Sequence, residues 1–148
     1  MNESKPMDEL DALLDRAERV QERDQKNAEE ARMLREKMEQ DTAMFREMIF
    51  RGEKDFSDKR SLILNIPNMD CRGCNFRGVD LTGSTFQYSD LRGASFLGAT
   101  VQGCDMRYTN VCGADLREIQ GGANWVEASY DDQTKFPQGF DTTKLNRI

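Results

Sequence analysis

The chain has 148 residues, 37% hydrophobic and 32% charged, with 27 acidic against 21 basic side chains and a net charge of −6. That apolar share is too high for a wholly disordered chain, and the acidic balance argues against general binding to a phosphate backbone. There is no histidine, which excludes imidazole acid–base catalysis and imidazole metal ligation.

The N-terminal stretch, Met1-Asn2-Glu3-Ser4, lacks the basic start and apolar core of a secretory signal, and no run of 18 apolar residues occurs anywhere. The expectation is a cytoplasmic protein with no membrane partner, whose four cysteines stay reduced. Residues 1–60 hold 13 Lys+Arg and 17 Asp+Glu, with Pro6 the only proline and Gly52 the only glycine. Good helix formers dominate between them. This predicts one long helix with Ser4 as N-cap, Pro6 in the first turn and Gly52 as its stop.

The apolar residues of that helix follow a heptad: Leu10, Leu13, Ala17, Val20, Asp24, Asn27, Ala31, Leu34, Met38, Asp41, Phe45 and Met48. Nine of these twelve positions are apolar, broken at Asp24, Asn27 and Asp41. A stripe of this length calls for a covering surface. A self-associating coiled coil, most simply a dimer, is the leading expectation, with Leu10, Leu13, Leu34, Met38, Phe45 and Met48 as its seam. Packing on the rest of the chain or on a partner, and a solvated single helix, remain as alternatives.

From residue 61 the alphabet changes: ten glycines appear, and large and small apolar residues alternate. The period is five. The units run from Met69-Asp70-Cys71-Arg72-Gly73 through Cys74-Asn75-Phe76-Arg77-Gly78 to Ala114-Asp115-Leu116-Arg117-Glu118. The central residue is apolar in all ten, and glycine ends seven. The rhythm slips at Ile119-Gln120-Gly121-Gly122, where a double glycine can absorb a missing residue. These units resemble the pentapeptide-repeat family, whose motif is A-(D/N)-L-X-X; Ala114–Glu118 matches it outright. The resemblance covers roughly residues 64–140.

It implies a mainly β solenoid, a right-handed quadrilateral β-helix of about three and a half coils, over 61–148 and behind the helix of 1–60. Residues twenty apart would stack, giving interior columns Cys71/Leu91/Val111, Phe76/Phe96/Leu116, Leu81/Val101/Gly121 and Phe86/Met106, with Ile66 and Trp125 at the ends of the last. Leu62–Ile66 would cap one end, and Phe136 and Phe140 the other.

The sequence offers few chemical sites. Cys71 and Cys74 form a C-x-x-C which, with Cys104 and Cys112, could suggest a four-thiolate zinc site. The repeat frame puts Cys71 at a centre, Cys74 and Cys104 at small interior positions on different faces, and Cys112 outward, so the four are expected to pack and not to converge. No catalytic set, metal site or cofactor fingerprint stands out, and no enzyme activity is expected. Tyr88 and Tyr108 replace the usual glycine twenty residues apart, beside Gln87 and Arg107, and these four residues form a candidate protein-contact patch. The leading function is a non-enzymatic protein-interaction or scaffolding module of unknown partner. The alternative implied by the resemblance is a DNA mimic that binds a type II topoisomerase such as gyrase. Residues 64–132 carry 5 Arg among 9 Asp+Glu, a mixture that favours the scaffold.

Overall fold

A computed structural model describes residues 5–148. The expected N-cap, Ser4, lies outside them. Helix α1 runs from Lys5 to Phe50, as the unbroken run of helix formers dictates. Ion pairs one turn apart support it, among them Asp15–Arg19 at 2.6 Å and Glu47–Arg51 at 2.9 Å. Its end is a Schellman motif: the Gly52 N–H donates to Ile49 O and the Glu53 N–H to Met48 O, both at 2.9 Å. Gly52 has φ +83°, a left-handed conformation that glycine adopts without steric cost.

Two compact units divide within α1: the first ends at Glu36 and the second is Lys37–Ile148. The change of alphabet near residue 60 thus marks where helix chemistry gives way to repeat chemistry, while the packing boundary falls earlier, inside the helix. In the first unit every residue from Met7 to Glu36 is exposed.

In the second unit the chain winds as four parallel ladders of single-residue bridges. Asp55, Asn75, Ser95, Asp115 and Lys135 form one, and Ser61, Asp80, Thr100 and Gln120 the next. Asn65, Thr85, Asp105 and Asn124 form the third, and Asp70, Asp90, Asn110 and Ser129 the fourth. The fourth is extended where β1 (Ser129–Tyr130) pairs in parallel with β2 (Asn146–Arg147). The residue after each bridge points inward. Phe56, Phe76, Phe96 and Leu116 make one buried column, with ring centroids 5.4 Å and 5.1 Å apart along its aromatic part. Ile66, Phe86, Met106 and Trp125 make another, and Phe86 meets Phe76 and Phe96 edge-on. Full burial of such a side chain contributes about 1.5–3 kcal/mol.

Small interior positions are also satisfied. Ser84 Oγ accepts the Leu64 N–H at 2.9 Å and donates to Leu62 O, while Ser89 Oγ accepts the Met69 N–H and donates to Ile66 O. The repeat's polar position has a local task. The side-chain oxygen of Asp70, Asn75, Asp80, Asp90, Asp105, Asn110 and Asp115 each accepts the backbone N–H two residues on. Asp and Asn suit this because their short side chains close such turns.

The pairing starts at Asp55, earlier than the expected cap at Leu62–Ile66, and Phe56 lengthens the Phe76 column. Asp55 to Ser61 spans six residues and Ser61 to Asn65 four, an irregularity that hides this unit from a fixed period. The slip after Glu118 is real: Gln120 to Asn124 is four residues, offset by six between Ser129 and Lys135. Gly121 keeps the register of Leu81 and Val101 but is exposed, so that column ends without a side chain. At φ +83°, a Cβ on Gly121 would come within 2.8 Å of Gln102 Cβ and 2.9 Å of its Cα.

The N-terminal end of the solenoid is closed by α1. Phe45 is fully buried, its ring 4.5 Å from Phe56 and 5.9 Å from Phe76. Asp41 Oδ2 accepts the Ile63 N–H at 2.9 Å, Thr42 Oγ1 accepts the Asn65 N–H at 3.0 Å, and Lys37 Nζ donates to Ser61 O. At the other end Phe140 meets Trp125 edge-on at 5.9 Å and stacks on Phe136 at 4.8 Å.

Candidate functional site

One corner of the solenoid differs from the others. Elsewhere the left-handed corner residue is mostly glycine, as at Gly73, Gly93 and Gly113. Here it is Asn68, Tyr88, Tyr108 and Glu127 in successive coils, with φ of 58°, 59°, 60° and 60°. A side chain in that region costs roughly 1–2 kcal/mol, least for asparagine. The strain is held by the ladder: the N–H groups of Asn68, Tyr88 and Tyr108 donate to Gln87 O, Arg107 O and Val126 O. Tyr88 and Tyr108 stack with centroids 4.8 Å apart and planes 2° from parallel, and are 56% and 47% exposed.

The other two residues of the candidate patch are tied to one carboxylate. Gln87 Nε2 donates to Asp105 Oδ2 at 2.7 Å, and the Arg107 guanidinium pairs with both Asp105 oxygens at 2.8–2.9 Å. The Arg107 bonds, aided by its charge and by the backbone and Gln87 donors, hold the Asp105 carboxyl below its ordinary range despite partial burial. The patch is therefore a rigid aromatic pair beside a locally neutralised triad. It can stack or accept apolar contact, and it brings together no nucleophile or acid–base pair.

The helix seam divides. Leu10, Leu13 and Leu34 are 55%, 61% and 58% exposed. Phe45 is buried and Met48 half-buried against the core of the chain's own solenoid, and Met38 is half-buried beside Thr42 and Asn65. Heptad spacing shows that a stripe needs covering without showing by what. Asp41, a polar break in the seam, accepts the bond from Ile63 that helps to close the solenoid. Lys37, Asp41 and Thr42 are the contact residues that sequence reasoning missed; polar residues one and two turns before Phe45 are their signal.

Cys71, Cys74 and Cys104 are buried and Cys112 is half-buried. Cys71 and Cys74 share one turn, in which the Cys74 N–H donates to Cys71 O at 3.1 Å, as in the other five-residue units. The neighbouring Cys74 thiol, together with burial, pushes the Cys71 thiol up, while the Cys71 thiol holds that of Cys74 down against its own burial. Burial pushes Cys104, whose Sγ lies 3.0 Å from Leu81 O, up to about 11. Among the described residues, no three His, Cys, Asp or Glu side chains gather as a metal site requires.

Parallel ladders around a filled apolar interior, repeating mostly every twenty residues, define a β-solenoid built from five-residue units. The family model described as pentapeptide repeats (9 copies) matches residues 67–110, and this segment belongs to that family. No curated protein matches the chain. Among solved structures, the chain is similar to alr5209, a pentapeptide repeat protein from Nostoc Pcc 7120, at 28% identity, over 72% of this chain and 94% of that one, with a TM-score of 0.49. It is also similar to the pentapeptide repeat protein Rfr23 from the cyanobacterium Cyanothece 51142, at 20% identity, 51% and 63% coverage and a TM-score of 0.41. A third is a pentapeptide repeat protein of the Arabidopsis thaliana thylakoid lumen, at 28% identity, 57% and 55% coverage and a TM-score of 0.32.

Proposed function

We propose that this chain is a non-enzymatic interaction module, in which the N-terminal part of α1 gathers two copies and the solenoid, a right-handed quadrilateral β-helix, presents rigid faces. Counted from Leu64 the solenoid has about three and a half coils, and the pairings from Asp55 lengthen it. The observation that carries the reading is the stripe of Leu10, Leu13, Val20 and Leu34, each more than 40% exposed on one helix. Full burial of a leucine contributes about 1.5–3 kcal/mol, so six leucines from two chains, each a little over half exposed, amount to roughly 5–10 kcal/mol before the cost of association. Met38, Phe45 and Met48 leave the proposed seam because they serve the cap. The Tyr88–Tyr108 pair is the face we assign to a protein partner.

The charge pattern of the solenoid speaks against a DNA mimic for a topoisomerase. A DNA mimic needs an uncompensated acidic face. Here Asp70, Asp90, Asp105 and Asp115 are paired with Arg72, Arg92, Arg107 and Arg117 at 2.6–2.8 Å.

Light scattering on the full chain and on Leu13→Asp with Leu34→Asp tests the reading. The full chain should have twice the monomer mass at tens of micromolar, and the double variant the monomer mass with an unchanged circular dichroism spectrum. A monomeric full chain refutes self-association through the helix.

A further inference from the structure

The last coil of the solenoid is covered on some faces and bare on others. Asp115 to Ser129 crosses its faces in fourteen residues, whereas Lys135 to Asn146, the segment paired above them, has only eleven. The upper segment therefore cuts across the end of the solenoid: Phe140 lands on Trp125, and among the described residues no bridge forms above Gln120 or Asn124. One coil below, the N–H groups of Val101 and Met106 donate to Gln120 O and Asn124 O, and those of Gln120 and Asn124 to Ala99 O and Cys104 O. The equivalent outward groups of the last coil are the N–H of Gly121 and Trp125 and the carbonyls of Ile119 and Ala123. None of these four has a hydrogen-bond partner among the described residues. A pocket of about 960 Å³ opens beside this edge, its apolar wall made by Ile119, Ala123, Trp125, Pro137, Phe140 and Leu145.

The adjoining face shows how this end is completed. There β2 lies parallel on β1, with the Asn146 N–H donating to Ala128 O at 2.8 Å and the Ile148 N–H to Tyr130 O at 2.9 Å. We propose that the Ala123–Trp125 edge is a docking site for an extended peptide segment of a protein partner, added in parallel as one more strand. The peptide donates an N–H to Ala123 O and accepts the Trp125 N–H, which continues the Asn65–Thr85–Asp105–Asn124 ladder. Its chemistry follows from the ladder: a small residue against Ala123, a polar one over Asn124, and an apolar one beside Trp125 and Phe140. A second copy does not fit as occupant, because its matching N-terminal edge is already closed by Asp41 and Thr42. Of the charged residues that line the pocket, Asp105 is paired with Arg107 at 2.8 Å, and Asp141 and Lys144 offset each other, so backbone and shape select the ligand. This site is separate from the helix seam and does not depend on it.

The test uses the full chain and the segment Gly113–Glu118 as an acetylated, amidated hexapeptide, which has the required small–polar–large pattern. Amide exchange and chemical shifts of the ¹⁵N-labelled protein are followed on titration. At ten times the Kd, exchange of the Trp125 amide should slow about elevenfold, since protection grows as 1 + [L]/Kd. Shift changes should centre on Gly121, Ala123 and Trp125. The same peptide N-methylated at the amide that meets Ala123 should produce neither effect. Unchanged Trp125 exchange at millimolar peptide, or equal binding of the methylated peptide, overturns the proposal. So does protection of the Trp125 amide that rises with protein concentration alone, which would mean that a second copy covers the edge.

Discussion

Phe45→Ala separates a helix that belongs to the solenoid from one merely attached to it. The ring is fully buried between the helix and the Phe56–Phe76 column. Core Phe→Ala changes cost about 3–5 kcal/mol in lost transfer energy and cavity. At ~2–4 °C per kcal/mol for a chain of this size, the melting temperature should fall by about 6–20 °C. Phe50, five residues on, is 88% exposed, so Phe50→Ala should change stability by less than about 0.5 kcal/mol. The assay is a thermal melt followed both by circular dichroism and by fluorescence of Trp125, which lies at the opposite end of the solenoid. If the cap is part of one cooperative unit, Phe45→Ala lowers both transitions together. Equal melting temperatures for the two variants would show that the solenoid does not need the helix.

Gly121→Ala should destabilise by more than the roughly 1–2 kcal/mol of an ordinary left-handed substitution, because its Cβ would also collide with Gln102 backbone; a denaturant midpoint equal to wild type would contradict the close approach. Cys112 should be alkylated first of the four thiols, since the other three are buried. Burial also holds its thiol above the ordinary range, so its labelling should accelerate as pH rises; earlier modification of Cys71 or Cys104 in the folded protein, read by mass spectrometry, would refute this.

What the sequence revealed depended on how regular it was. The inward residues from Cys71 to Leu116 were legible because an apolar centre recurs every five residues, and a narrow interior tolerates little else. The stacking of Tyr88 on Tyr108 was legible from their spacing of twenty. Their left-handed backbone was suggested only by the glycines they replace. Phe56 was not legible, because the six-residue step after Asp55 breaks the frame. The role of Phe45 was not legible either: a heptad gives the direction of a stripe, and whether a second helix or the solenoid covers it is a tertiary matter. Asp41 misled for the same reason, since a polar residue in a seam weakens a coiled coil but suits the exposed backbone edge of a β-coil. The bare edge at Ala123–Trp125 depends on the path of residues 135–146, which follow no repeat.

The four-residue step at Gln120–Asn124 and the six-residue step at Ser129–Lys135 bear on how such a chain can change length. A residue lost in the middle of a flat face would turn every following inward side chain outward until the frame recovered. A residue lost at a corner is absorbed there, for Trp125 is still on its column and Lys135 is back above Asp115. Insertions and deletions are thus confined to corners, and a loop grafted at Gly122, where a Cβ would meet nothing within 4 Å, should leave the coils on either side in register.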